Sequence, residues 1–562
     1  MVEGIDRSPV IGMTQAWMRA IPSRLARAAP VVATRSRVVV ACARGWARTL
    51  ARDARGRLPA WATRLTHERV VALLATALSI GACAWYAAHG DTLAYKDAVS
   101  HMMIARRVLF SPTPGLGQLG SVWPPFNHVL MLPFVWIDPL YRSGLAGAIP
   151  SMVGYILGTL YLFRAARLLF SSAAAGWVAA LIFALNPNTL YLQSTPMSEL
   201  VLLGLLLLGL YYLIRWVADE RPVNLVACAG AFAAGSLVRY DVWALALAEL
   251  AVIAYVTWRR HGWKAAEGAL WLYGALAFAG CAAWFLYNWL LFADPLYFID
   301  GPYSASYQQG VIKAHNSLPT YHNAGLAALV YLQAASEMVG WPLLVVAALA
   351  TALLVARSRL DARMLPAYML WSLLAFNILC LFLGVTVVYT PELHLANAPA
   401  LFNVRYGIMA LPEVALFTAS LVAWRREALW LGLALALVFS GFNPALGLPY
   451  TLRDPLATSH WPTIRSEAAW LDQHYHGGTI LIGSAPFTAV VFATDLPDHD
   501  FVNENTPQHF DQIIAAPQRY ATWIVMDSGQ ASAYDAVEAR LAGRTDWRQY
   551  YVLRTTIDGV QF

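Results

Sequence analysis

The chain has 562 residues, 59% of them hydrophobic and 13% charged, with a net charge of +6 and a mean hydropathy of +0.50. A soluble chain carries about 25% charged residues, so this one lacks the polar surface to stay in water. Residues 1–68 hold twelve Arg and four acids, net +8, while residues 447–562 hold thirteen acids and seven Arg, net −6.

The basic start has no interleaved aromatics and runs straight into an apolar stretch. This argues against a nucleic-acid partner and for retention in the cytoplasm by the positive-inside effect. Apolar stretches long enough to span follow near 69–88, 143–163, 173–191, 197–217, 223–238, 242–258, 265–291, 325–356, 365–388, 404–424 and 427–447. The first is too far into the chain for a cleaved signal peptide and reads as a signal anchor. The fold class expected is a polytopic α-helical membrane protein of about eleven spans, 69–450, followed by a small α/β domain, 451–562.

The connecting charges test this order. With the N-terminus inside, the inner loops carry Arg164 and Arg167, then Arg215 and Arg221, then Arg259, Arg260 and Lys264. The last two carry Arg357, Arg359 and Arg363, then Arg425 and Arg426, so every inner loop is basic. An odd count places the C-terminal domain outside. Its expected strands lie at 479–482, 489–492, 522–526 and 549–553, with helices around Trp470 and at 531–541. Of the five cysteines (Cys42, Cys83, Cys228, Cys281, Cys380), four sit in apolar spans, and none forms a CxxC metal pattern.

Three outer loops, 89–142, 292–324 and 389–404, are too long to be plain turns. In the first, FNHVLMLPFVW is too short to span and suits an amphipathic interfacial helix. Asp97 and His101 stand four apart there, on one helix face, with Arg106 and Arg107 further along. A carboxylate beside a low-dielectric boundary suits a general base, and a neighbouring His could hold an acceptor; an incidental interfacial pair is the plainer alternative. Glu199 opens the fourth span, where it could cap a helix or bind sugar hydroxyls. Arg405-Tyr406, at the outer entrance of the tenth span, has the chemistry of a phosphate clamp or of an interfacial anchor. Lys313, His315 and His394 are weaker candidates of the same kind.

The stretches YKDAVSHMMIARRVL and PGLGQLGSVWPPFNHVLMLPF resemble the first outer loop of membrane glycosyltransferases of the GT-C fold. PMSEL, LVRYDVW, YNWLLFADPLYF and NVRYGIMALP fit the same family in the same order. Its similar members use polyprenyl-phosphate sugars and are related to lipid A aminoarabinose transferases and protein O-mannosyltransferases. The resemblance implies that Asp97 is the catalytic base, that Arg405 faces a lipid phosphate, and that Glu199 and Arg239 line the cavity. Many relatives carry two adjacent acids in this loop, whereas Lys96 precedes Asp97 here. A divalent metal is therefore not favoured and no cofactor is expected, although Asp91 could stand in for the missing acid.

The function expected is an inverting transfer, at the outer face of a plasma or inner membrane, from a polyprenyl-phosphate-linked sugar to a lipid, glycan or protein acceptor. Catalytic roles fall to Asp97 and His101, and substrate binding to Glu199, Arg239, Lys313, His394, Arg405 and Tyr406. A lipid-linked sugar flippase or transporter, or a glycan polymerase or ligase, are the alternatives.

Overall fold

The computed structural model of the chain describes residues 66–301, 304–314, 318–358, 361–395, 401–424, 442–443, 447–457, 461–528 and 535–562. The basic segment 1–65, His315 and most of the predicted span at 427–447 lie outside the described residues. Glu68–Phe562 form one compact unit.

Six helical segments of the described residues are long and apolar enough to cross a membrane: His67–His89, Leu145–Phe170, Glu199–Asp219, Asp241–His261, Ala362–Leu383 and Val404–Ala423. Two bent pairs raise the number to eight, Trp263–Ala277 with Ala279–Phe292 at 44° and Ala324–Val339 with Trp341–Arg357 at 107°. The chain is thus a multi-span helical membrane protein, and the expectation of about eleven regular spans is corrected in three places.

The predicted span at 173–191 is a helix of 12 residues, Ala173–Ala184. Asn186 caps a new helix that begins at Pro187, because proline cannot continue the first one. The predicted span at 223–238 is the 15-residue helix Pro222–Ser236. At 1.5 Å per residue both fall short of a hydrocarbon core about 30 Å thick. The predicted span at 325–356 turns nearly at right angles at Gly340, whose φ of +83° only glycine adopts readily. The side-chain amides of Asn186 and Asn188 donate to the Met338 carbonyl at 2.7 and 3.2 Å, so a carbonyl at the break has partners.

Helix α1 (His67–His89) starts beside the end of α2 (Leu145–Phe170), where Arg164 pairs with Glu68 at 2.6 Å. Against α2 lies α3 (Glu199–Asp219), and their backbones touch. A Cβ at Gly154 would sit 2.2 Å from the Leu200 carbonyl oxygen, and one at Gly204 2.5 Å from that of Gly154. Small residues that admit such an approach are the usual basis of helix association in membranes. The contact holds Glu199, the first residue of α3, at the opposite end of the bundle from Glu68.

The segment 89–142 carries three α-helices, Lys96–Phe110, Phe126–Val135 and the short Asp138–Arg142. Over them docks the C-terminal part of the chain, which carries a five-stranded sheet of Ile480–Ile482 (β1), Phe501–Val502 (β2), Trp523–Asp527 (β3), Thr556–Ile557 (β4) and Val560–Gln561 (β5) in the order β2-β1-β3-β5-β4. β1 runs parallel to β2 and β3, and β5 pairs antiparallel with β3 and β4. Two expected strands are corrected. Residues 489–492 belong to the helix Ser484–Ala493, whose inward Phe487, Ala489 and Val490 pack in the core. Residues 549–553 are a turn and coil with Tyr550, Val552 and Leu553 exposed. Arg106 fastens the docking, bonding Asp498 and Asp138 at 2.7 Å each.

Candidate active site

Asp97 stands in the first turn of Lys96–Phe110, where the helix dipole favours a carboxylate. Its Oδ2 accepts from Arg405 Nη2 at 2.5 Å. Arg405 Nε donates in turn to Glu199 Oε1 at 3.3 Å, and the same Oε1 meets Arg239 Nη1 at 3.1 Å. Arg239 Nε reaches Asp241 Oδ2 at 3.1 Å, and Asp241 Oδ1 accepts from Asn377 at 3.1 Å. Five charges alternate along this chain, three negative and two positive, so the cluster carries a net −1. The Tyr406 ring sits between the two guanidinium groups, 5.0 Å from each.

The chain grades from buried to open. The Glu199 side chain is 0% exposed, that of Arg405 5%, and that of Asp97 39%. A buried charge is tolerable only when paired, and here each inner group has two partners. Asp97 is the end that solvent and a substrate can reach.

Each member is held by its element. The 3-10 turn Val404–Ala410 carries Arg405, and Val404 N donates to Asp454 Oδ2 at 3.2 Å. Burial pushes the Asp454 carboxyl up to about 6, with Arg405 pulling it back. Arg239 lies in the turn before Asp241–His261, which Phe126 N and the Tyr240 hydroxyl tie to the segment 89–142 through Leu237 O at 2.8 Å and Val122 O at 3.1 Å.

His101, one turn after Asp97, is buried and shares a hydrogen bond of 2.8 Å between its Nδ1 and His128 Nε2. Burial, reinforced by the Arg405 and Arg239 charges, pushes His101 down to about 3, and His128 also lies well below its ordinary value. Both rings are therefore neutral near pH 7, one donating and one accepting.

Of the residues expected from the sequence, Asp97, Glu199, Arg239, Arg405 and Tyr406 come together, with His101 beside them. Lys313 and His394 do not join them. The Lys313 ammonium lies 3.8 Å from the Tyr321 ring centre, and His394 is an exposed residue at φ +47°. Asp241, Asn377 and His128 were not among the expected site residues. The first stands two residues after Arg239 in LVRYDVW and the last lies within FNHV, so both had a signal in motifs already in view.

Asp97 is paired with the Arg405 guanidinium, and the residue before it in the chain is Lys96 where the family pattern has a second acid.

No curated protein matches the chain. The crystal structure of ArnT from Cupriavidus metallidurans in the apo state is similar at a TM-score of 0.48 and 15% identity, covering 86% of this chain and 97% of that one. The same protein bound to undecaprenyl phosphate gives a TM-score of 0.42 at 14% identity, with the same coverage. Residues 140–287, which run from α2 through Arg239 and Asp241, match the family model described as dolichyl-phosphate-mannose-protein mannosyltransferase, and over that stretch the resemblance to membrane glycosyltransferases is borne out.

Proposed function

We propose that the chain transfers a sugar from a polyprenyl-phosphate donor to an acceptor hydroxyl at the outer membrane face, with inversion at the anomeric carbon. The observation that carries this reading is the charge chain Asp97–Arg405–Glu199–Arg239–Asp241, buried at one end and open at Asp97. Asp97 takes the acceptor proton as the oxygen attacks the anomeric carbon. The bond to the phosphate oxygen breaks on the opposite side, and the departing polyprenyl phosphate needs a cation more than an acid.

Arg405 serves both partners. Its Nη1 has no hydrogen bond among the described residues, so a phosphate oxygen can be received there. As the phosphate draws the guanidinium, Asp97 loses its counter-charge and accepts a proton more readily. Glu199 and Arg239 keep the guanidinium aligned throughout. Neutral His101 shapes the acceptor side without repelling it. The N-terminus is proposed to be cytoplasmic and the C-terminal domain to cover the site from outside.

Two observations favour a second reading, a lipid-linked sugar transporter. Glu249 and Glu413 are fully buried in apolar helices with no hydrogen-bond partner for either oxygen, and one helix pair is bent by 107°. Purified protein, a polyprenyl-phosphate sugar and an acceptor extract decide between them. Released polyprenyl phosphate with a glycosylated acceptor supports the transferase. Donor movement across liposomes without cleavage, equal in wild type and Asp97→Asn, overturns it.

A further inference from the structure

Arg107 lies ten residues beyond Asp97 on the same helix, and the mechanism above leaves it unused. Its Nε donates to the Gln118 carbonyl at 2.6 Å, and it forms no ion pair among the described residues. Arg405 and Arg239, by contrast, are each engaged by two carboxylates. No carboxylate bridges Arg107 among the described residues, and Tyr287 and Glu504 act on its charge only from a distance.

The surroundings are built around its free edge. The segment Ser111–Ser121 folds back over the guanidinium and is pinned by Tyr287, whose hydroxyl donates to Leu116 O at 3.0 Å. Gln118 Nε2 reaches Asn505 O of the C-terminal domain at 3.2 Å, while its Oε1 is buried and unpartnered. A Cβ at Gly120 would stand 3.2 Å from Arg107 Nη2, so glycine there leaves the outer nitrogens clear. Burial pulls Arg107 down to about 10, which leaves it charged at neutral pH. On its inner side lies the buried His128–His101 pair, which leads toward Arg405.

We propose that Arg107 and the Gly120 turn form a second anion site that takes a phosphate group, carried either by the acceptor or by the polyprenyl donor before its phosphate is held at Arg405. A planar guanidinium with free outer nitrogens matches two phosphate oxygens at once, and a neutral histidine pair beside it neither competes for the anion nor repels it. The inference deepens the transferase reading, but its test needs no turnover.

Binding of three probes to the full chain in detergent is measured: inorganic phosphate, a polyprenyl phosphate and the neutral polyprenol. Arg107→Gln should weaken a phosphate probe about 10- to 150-fold and leave the polyprenol unchanged. Arg107→Lys, which keeps the charge and loses the fork, should fall between. Loss confined to the lipid phosphate identifies the donor as the source, and loss for inorganic phosphate with the lipid phosphate unaffected identifies the acceptor. Phosphate affinities in Arg107→Lys and Arg107→Gln equal to wild type overturn the site. If Arg107→Gln fails to fold, Arg107→Lys decides alone: an undiminished phosphate affinity overturns it. Absence of sugar transfer with these binding losses intact would refute the transferase and leave the anion site standing.

Discussion

Replacing Asp97 by Asn and Glu199 by Gln should separate chemistry from support. The Asp97 side chain is 39% exposed, so solvent screens its pair with Arg405 and the stability lost is about 1 kcal/mol or less. Asn cannot take a proton, and general-base assistance is worth about 10²–10⁴ in rate, or about 2.7–5.4 kcal/mol of barrier. Turnover should fall by that factor while donor binding persists. Glu199 is 0% exposed between guanidinium groups that are 5% and 18% exposed. Removing one partner of a buried pair costs about 3–5 kcal/mol, and Gln keeps an acceptor oxygen, so about 3 kcal/mol is expected. Unfolding in detergent, turnover and donor affinity are measured for both. If Asp97→Asn destabilises as much as Glu199→Gln, or turns over like wild type, the division of roles is wrong.

Arg405→Lys should keep partial donor affinity and Arg405→Ala should lose about 1.5–3 kcal/mol of it, read by donor titration; equal affinities would leave Arg405 as an internal strut. Activity should persist in EDTA, because Asp97 is paired with Arg405 and preceded in the chain by Lys96 where a second acid would be needed; loss in EDTA with rescue by Mg²⁺ would contradict this. His101 binds a proton less readily folded (about 3) than unfolded (about 6.5), so between those values the unfolded state holds more protons and stability falls as pH drops. His101→Gln should flatten that acid-side slope in unfolding measured from pH 7 to 4, and an unchanged slope would assign it to other groups. Cysteine labelling should reach positions 97 and 310 from outside and 260 from inside; labelling of 97 and 260 from one side would refute the proposed topology.

Composition alone determined that this is a membrane protein, because apolar runs of about twenty residues have no stable place in water. The sequence also marked Asp97, Glu199 and Arg405 as candidates, since a charge at the edge of an apolar run is costly without a purpose, and the family resemblance added Arg239. It did not reveal that these four form one chain. Asp97 and Arg405 lie 308 positions apart, and the helix Lys96–Phe110 and the turn at Val404 bring them within bonding distance. Asp241 was passed over for the same reason: its partner Asn377 comes from a different span. Regular spans were over-counted because hydropathy averages through Asn186-Pro187 and Gly340 without registering that the backbone stops or turns there. The 489–492 run read as a strand for its apolar content, and became a helix because its inward side chains had the loop helix Lys96–Phe110 to pack against. Local pattern sets what each segment can bury; which charge meets which is decided by the partners that the fold supplies, because pairing energy depends on distance and exposure that no single segment contains.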